Sequence, residues 1–260
     1  MKYRHLPLIL ALLIACSYSA SDAGHHLKSE QKSESAAKKM EPKTVMIADA
    51  NLRAIIADSL NRASDAVITT ADMAKLRRLV APNANISDLS GLEHAKNLTV
   101  LNLGATRVDK KIVNSNAVSD LSALSGLKKL RTLNLTRNNV SDISALAKLT
   151  NLRTLNLSAN RNVADISALS GATKMRNLNL SSNKVADISA VSGMAELKTL
   201  GLNNNKVMDI APAAGLANLA TLNIRRNALN DMSMNTHVAT LKKKGVKVNM
   251  DAMESMDKDK

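Results

Sequence analysis

The chain has 260 residues, a single cysteine, no tryptophan or phenylalanine, and a formal net charge of +14 at pH 7. One cysteine excludes an intrachain disulfide, and an aromatic content of 1% removes the usual anchors of a tight protein interface. The positive excess directs attention to anionic partners.

The chain opens MKYRHLPLILALLIACSYSASDAG. Lys2 and Arg4 precede an apolar run from Leu6 to Ala15, the layout of a secretory signal with a charged start and a greasy core. Such a run makes roughly 15 Å of helix, well short of the ~20 residues that cross a bilayer. Residues 1–15 are therefore expected to be a cleaved signal peptide. Leu13-Ile14-Ala15-Cys16 resembles a bacterial lipobox, which implies lipid modification of Cys16 as cleavage occurs before it. Ordinary cleavage near Ala20, with Cys16 a bystander, is the alternative. Three acyl chains, the usual complement of such lipoproteins, anchor stably at roughly 0.8 kcal/mol per buried CH2. Ser17, rather than Asp, follows the cysteine. In a Gram-negative cell that favours the outer membrane, facing the periplasm or the outside. Loss of Lys2 and Arg4 leaves 14 − 2 = +12. In an exported protein this charge points to anionic envelope surfaces rather than nucleic acid.

Residues 16–43 hold Ser, Lys, Glu, Ala and His with almost no large apolar side chains, and read as a flexible tether. His25 and His26 could touch a metal, but a pair in a tether is more simply solvated; no cofactor is expected. Residues 44–78 form two amphipathic stretches, ADANLRAIIADSLN and ITTADMAKLRRL. Leu52, Ile55, Ile56 and Leu60 make a helical stripe, and Thr69 or Thr70 can cap the next helix with Asp72 in its first turn. This segment is expected to be a helical N-terminal cap.

From residue 79 to 232 the chain repeats itself. Aligned on TLNL, the first leucines fall at Leu133, Leu155, Leu178, Leu200 and Leu222, with spacings of 22, 23, 22 and 22, and the phrase extends upstream to Leu101 and Leu79. That period belongs to leucine-rich repeats. In Leu133-Asn134-Leu135, apolar and polar residues alternate as in a short strand with leucines inward. Asn138 turns the chain; Val140 and Ile143 return to the core, and Leu146, Leu149 and Leu152 complete the coil. The predicted fold class is α/β: a leucine-rich repeat solenoid with a curved parallel sheet on the concave side and short 3-10 or helical turns on the convex side. Each coil needs neighbours to bury its inward face. Between Leu101 and Leu133 there are 32 residues, ten more than one repeat, and the surplus falls near 107–117. Arg107, Lys110 and Lys111 make it a basic loop, either grafted for recognition or a neutral insertion. HVATLKKKGVKVNM, in 233–250, reads as a closing helix, a stop at Gly245 and a last strand; 251–260 is a tail.

The LNL strand, the asparagine five places on and the Val/Ile-x-Asp-Ile/Leu-Ser-x-Leu turn resemble the 22-residue repeat of the internalin family. The resemblance extends through the capping segments, from about Thr44 to Met250. It implies a non-catalytic, monomeric binding protein whose concave sheet meets its ligand. By alternation, the candidate binding residues there are Asn134, Thr136, Asn156, Ser158, Asn179, Ser181, Asn203, Asn223 and Arg225, with Asn102, Gly104 and Gly201 in the same columns and Thr132, Thr154, Asn177, Thr199 and Thr221 at the strand starts. Arg131, Arg153, Arg176 and Lys198 form a candidate basic edge in successive coils about 5 Å apart. Internalins carry aromatics on this face, whereas both tyrosines here, Tyr3 and Tyr18, lie outside the array. A polar groove suits a glycan, an acidic polymer or a modest protein partner; a solvated face without a ligand is the plain alternative.

Two polar columns have structural explanations. Asp88, Asp120, Asp142, Asp165, Asp187, Asp209 and Asp231 are read as caps of the following turns rather than a calcium site. Asn138, Asn160, Asn183, Asn205 and Asn227 are read as a backbone-satisfying ladder. An enzyme acting on envelope polymers finds little support: His94 and His237 stand at opposite ends of the array, about six coils of ~5 Å apart. The function expected is a lipid-anchored envelope protein that binds a protein or glycan ligand through its concave face. A structural role bridging envelope layers is the alternative.

Overall fold

The computed structural model describes residues 43–105 and 115–251, and the backbone of 107–108 and 111–112 between them. The expected signal peptide, Cys16, nearly all of the tether and the tail after residue 251 lie outside the described residues.

The N-terminal end is closed by two helices, α1 (Ala50–Ser59) and α2 (Thr70–Met73). In α1, Leu52, Ile56 and Ala57 share the inward face and are fully buried. Asp49 caps it by accepting the Leu52 N–H at 3.0 Å, while its other oxygen accepts the N–H groups of Ser87 and Asp88 from the first coil. One carboxylate thus ties helix to solenoid. Thr69 and Asp72 form a reciprocal capping box on α2. Arg62 and Lys75 also donate to Asp72, at 2.7 and 3.1 Å, and its side chain is only 3% exposed.

The repeats supply one parallel sheet. Its strands are β1 (Arg78–Val80), β2 (Val100–Asn102), β5 (Thr132–Asn134), β6 (Thr154–Asn156), β7 (Asn177–Asn179), β8 (Thr199–Gly201), β9 (Thr221–Asn223) and β10 (Lys247–Asn249), in that spatial order. Leu79, Leu101, Leu133, Leu155, Leu178, Leu200 and Leu222 pair in register and are buried, and Val248 closes the row. They belong to one continuous core running from Val45 to Val246. Short 3-10 turns at Leu92–His94, Ser122–Leu124, Ser144–Leu146, Ser167–Leu169 and Ser189–Val191 form the opposite side, followed by α3 (Ala211–Ala214). The surplus segment forms a small antiparallel hairpin, β3 (Arg107–Val108) with β4 (Lys111–Ile112). At the C-terminal end, residues 233–237 and α4 (Val238–Lys243) cover the last coil.

Aspartates start the turns as expected, up to a point. Asp120, Asp142, Asp165 and Asp187 each accept the N–H of the serine two residues on, at 2.7–2.8 Å, and Asp209 accepts from Ala211 in the same way. Asp231 departs from the column. Asn230 accepts the Ser233 N–H instead, the chain becomes helical at Asp231, and Met232 turns outward where earlier coils bury Ile188 or Ile210.

Buried and half-buried asparagines hold the coils to one another. Asn160 donates from Nδ2 to the carbonyls of Leu157 and, one coil earlier, Leu135, at 2.8 and 3.0 Å; its Oδ1 accepts the Val140 N–H at 3.0 Å. Asn138, Asn183, Asn205 and Asn227 repeat the arrangement. Asn116 is a further rung: it donates to Ala81 and Leu103 and accepts from Ala84 and Ile86. The surplus residues therefore end before Asn116, earlier than the 117 read from the sequence. To turn the amide inward, the preceding residue enters the left-handed region, with φ of 58° at Arg137, 60° at Ala159 and Ser182, 59° at Asn204 and 56° at Arg226. None of these is glycine, so each coil bears a conformational cost of about 1 kcal/mol that the three amide bonds outweigh.

Asn160→Ala is expected to destabilise the fold by about 3 kcal/mol, because two carbonyls and one N–H lose their partner inside the core; urea denaturation measures it. A second expectation concerns pH. Hydrogen bonds from the Thr69 hydroxyl, Arg62 and Lys75 hold the Asp72 carboxyl well below the ordinary carboxylate range despite its burial. A carboxyl depressed by folding stabilises above its unfolded value near ~4, and that contribution fades as pH falls below it. Asp72→Asn should cost about 2 kcal/mol at neutral pH and flatten the loss of stability between pH ~4 and ~2.

Candidate recognition surface

The concave sheet exposes the polar member of each strand. Asn134, Asn156 and Asn179 each turn Oδ1 toward their own backbone, accepting the N–H of Thr136, Ser158 and Ser181 at 3.0–3.1 Å. The Thr136 hydroxyl adds a 2.7 Å bond to Asn134. This fixes the amides and leaves their Nδ2 groups without a partner among the described residues. The surface therefore offers a row of oriented N–H donors, one per coil, about 4.8 Å apart.

The row is broken at Gly201, which stands where neighbouring coils carry asparagine. A Cβ there would lie 2.7 Å from Asn179 Oδ1 and 3.2 Å from Ser181 Oγ. The missing side chain leaves an open hollow of about 350 Å³ lined by Thr154, Asn156, Asn179, Ser181, Thr199 and Asn203, among others. Asn223 closes one end, its Oδ1 accepting from Asn249 at 2.6 Å. Of the residues picked out from the sequence, Asn156, Asn179, Ser181, Asn203 and Asn223 converge here. Asn134, Thr136 and Ser158 lie outside the hollow's lining, and Arg225 is exposed, its N–H held by Asn203 Oδ1 at 2.8 Å. Thr154, Asn177, Thr199 and Gly201, placed by alternation on the same face although not among the candidate binding residues, also line it, as do Leu155 and Leu178. The signal for them was the one glycine replacing asparagine between two unbroken coils.

Arg131, Arg153, Arg176 and Lys198 stand side by side on one flank of the sheet, joined by successive backbone bonds of 2.8 Å. Arg176 pairs with Glu196 at 2.8 Å, both about half exposed. The Arg176 hydrogen bond, with the charges of Arg176, Arg153 and Lys174, holds the Glu196 carboxyl below its ordinary range. Arg131 and Arg153 have no carboxylate partner among the described residues. The side chains of Arg107, Lys110 and Lys111, which were to make the hairpin basic, lie outside the described residues.

His94 sits in the 3-10 turn of the first coil and His237 in the C-terminal cap. Among the described residues, no group of three His, Cys, Asp or Glu is placed to hold a metal ion, and no helix is long and apolar enough to cross a membrane. The surface can donate hydrogen bonds and present positive charge.

The family profile "Leucine Rich repeats (2 copies)" matches residues 112–148, 128–171, 150–193 and 173–213. Among solved structures, an internalin (inlF) of Listeria monocytogenes is similar over 84% of this chain and 68% of its own, with 28% identity and a TM-score of 0.62. Internalin C2 of the same organism matches 83% of this chain and all of its own, with 25% identity and a TM-score of 0.60. A leucine-rich repeat protein of Leptospira interrogans, 20% identical over 68% of this chain and 50% of its own, shares the fold at a TM-score of 0.53. No curated protein matches the chain significantly in sequence. The chain has the leucine-rich repeat fold and is similar to internalins in structure.

Proposed function

We propose that this leucine-rich repeat solenoid works without catalysis, anchored to the cell envelope through lipid on Cys16, and captures a ligand on its concave face. Leucine-rich repeat proteins generally mediate binding, and the fold here is of that kind. The observation that carries the reading is the hollow at Gly201, walled by amides and hydroxyls. Its lining is neutral and hydrogen-bonding, with unspent Nδ2 donors from Asn156 and Asn179 at its edge. Such a wall recognises ligands rich in oxygen acceptors, as glycans are, or the backbone and polar side chains of a protein. It lacks the aromatic anchors that give protein interfaces their strongest contacts, so modest affinity at each site is expected.

Lipid on Cys16 would hold this surface at the outer membrane, with residues 16–43 as spacer. The anchor is tested by labelled palmitate: incorporation into the native chain but not into Cys16→Ala is expected, and equal labelling of both would remove it.

For the groove, the chain carrying Cys16→Ala is screened on glycan arrays and against envelope and host surface extracts. Any ligand retained should bind about 10-fold more weakly to Gly201→Asn, which restores the asparagine column and fills the hollow, the Asn179 amide having to move aside for the new Cβ; circular dichroism melts check that the variant stays folded. A ligand indifferent to Gly201→Asn and to Asn179→Ala would overturn the assignment to this face.

A further inference from the structure

Each coil leaves the sheet through its asparagine turn and comes back through a return segment ahead of the next strand. Four successive return segments read GLKKLR, KLTNLR, ATKMR and AELK. They place Arg131, Arg153, Arg176 and Lys198 in one column on the flank. Two residues earlier in the segments stand Lys129 and Lys174, with Asn151 and Glu196 at the same place in the other two coils, and the way the lysines are held is informative. Lys129 Nζ donates to Asn97 Oδ1 at 2.7 Å, and Lys174 Nζ to Asn151 Oδ1 at 2.8 Å. Those asparagines are themselves fixed, donating from Nδ2 to the Ala74 and Lys128 carbonyls one coil back. A neutral acceptor orients an ammonium group without cancelling its charge.

Glu196 is the one carboxylate in these four segments. The aspartates gather instead on the other side of the coil, after the asparagine turn, where Asp120, Asp142, Asp165 and Asp187 are occupied as turn caps. Carboxylates are therefore scarce on this flank and gathered beyond the asparagine turn, where Arg137, Arg161, Lys184 and Lys206 stand a few residues ahead of them. The cations form one continuous column with two lysines beside it. The principal hollows lie elsewhere: on the concave sheet, beside Asp120 and Asp142, at the Arg137 and Arg161 turns, and near Met234. The large exposed apolar side chains, Met46, Val67, Val80, Met208 and Met232, are also outside these segments. The flank has charge and regular spacing, and none of these four hollows or five exposed apolar side chains lies in its segments.

We propose that this basic flank docks the solenoid against a bilayer surface bearing anionic phospholipid headgroups. Anionic headgroups complement this cationic column, in which Arg131 and Arg153 have no carboxylate partner among the described residues and Arg176 is shared with Glu196, and each basic residue near such a surface contributes roughly a fivefold gain in partition. Docking by the flank leaves the concave hollow open to its side, so the contact orients the recognition face instead of covering it. Contact without apolar insertion is screened by salt.

The test uses the full chain carrying Cys16→Ala, sedimented with vesicles of phosphatidylcholine alone or of an equimolar mixture with phosphatidylglycerol. The apolar start of the chain contributes to both, so the readout is the increment caused by the anionic lipid. That increment should be lost near ~1 M salt and should fall by at least about 100-fold in R131E/R153E/R176E, since removing three cations alone accounts for roughly fivefold each. It should persist in R137E/R161E, which alters the asparagine-turn side. Circular dichroism melts confirm folding, and R131Q/R153Q/R176Q serves if the reversal variant is unstable. No anionic-lipid increment, an increment untouched by the triple substitution, or an equal loss in both variants would overturn the proposal. Capture by soluble polyphosphate without binding to either vesicle would also overturn it, in favour of a polymer site.

Discussion

Three-residue strands leave little backbone pairing per coil, and the carbonyls of Leu103, Leu135, Leu157, Leu180 and Leu202 would otherwise end unsatisfied inside the core. A side-chain amide reaches each of them from the asparagine turn of the same coil or of a neighbour. A buried carbonyl without a partner costs about 1–3 kcal/mol. Leucine burial drives the coils together, but the amides dictate how closely and in what register they stack. The left-handed residues before Asn138, Asn160, Asn183, Asn205 and Asn227 accompany that inward turn of the amide.

The surfaces follow from the same stacking. Because every coil is held one strand spacing from the next, a residue type repeated at one place in the phrase becomes a line on the molecule. Asparagine after the central leucine of the strand becomes a line of N–H donors on the concave sheet. Arginine or lysine before the strand becomes a cationic column on one flank, and aspartate after the turn becomes a line of caps on the other. A single departure from the phrase then has a local geometric consequence. Gly201 opens a hollow because its neighbours, Asn179 above all, keep their places.

Much of this was legible in the sequence because it is periodic. The register of the leucines, the polar columns and the basic edge all come from counting residues, and an asparagine at fixed spacing has few physical explanations. Irregular features were harder to read. Asn116 joins the ladder from the far side of the surplus segment, where the count had already failed, so only the backbone bonds reveal it. Asp231 sits at the right spacing, yet the chain there is already closing into the C-terminal helix, and Asn230 takes the capping position. The hollow depends on what one side chain lacks, and its significance appears only when the neighbours' distances to the missing Cβ are known. The basic flank was half visible: the arginines could be aligned, but the asparagine carbonyls that hold Lys129 and Lys174 could not.

Native-state hydrogen exchange addresses the central claim, that the asparagine amides bind the coils into one cooperative stack. The N–H groups of Val140, Val163, Val185 and Val207 are each accepted by the asparagine of the following coil. They should exchange together, at least ~1,000-fold slower than amides of the exposed turns, with one opening free energy close to that of global unfolding. Fast or mutually independent exchange at these four positions would mean that the leucine core alone holds the stack and that the amides are bystanders.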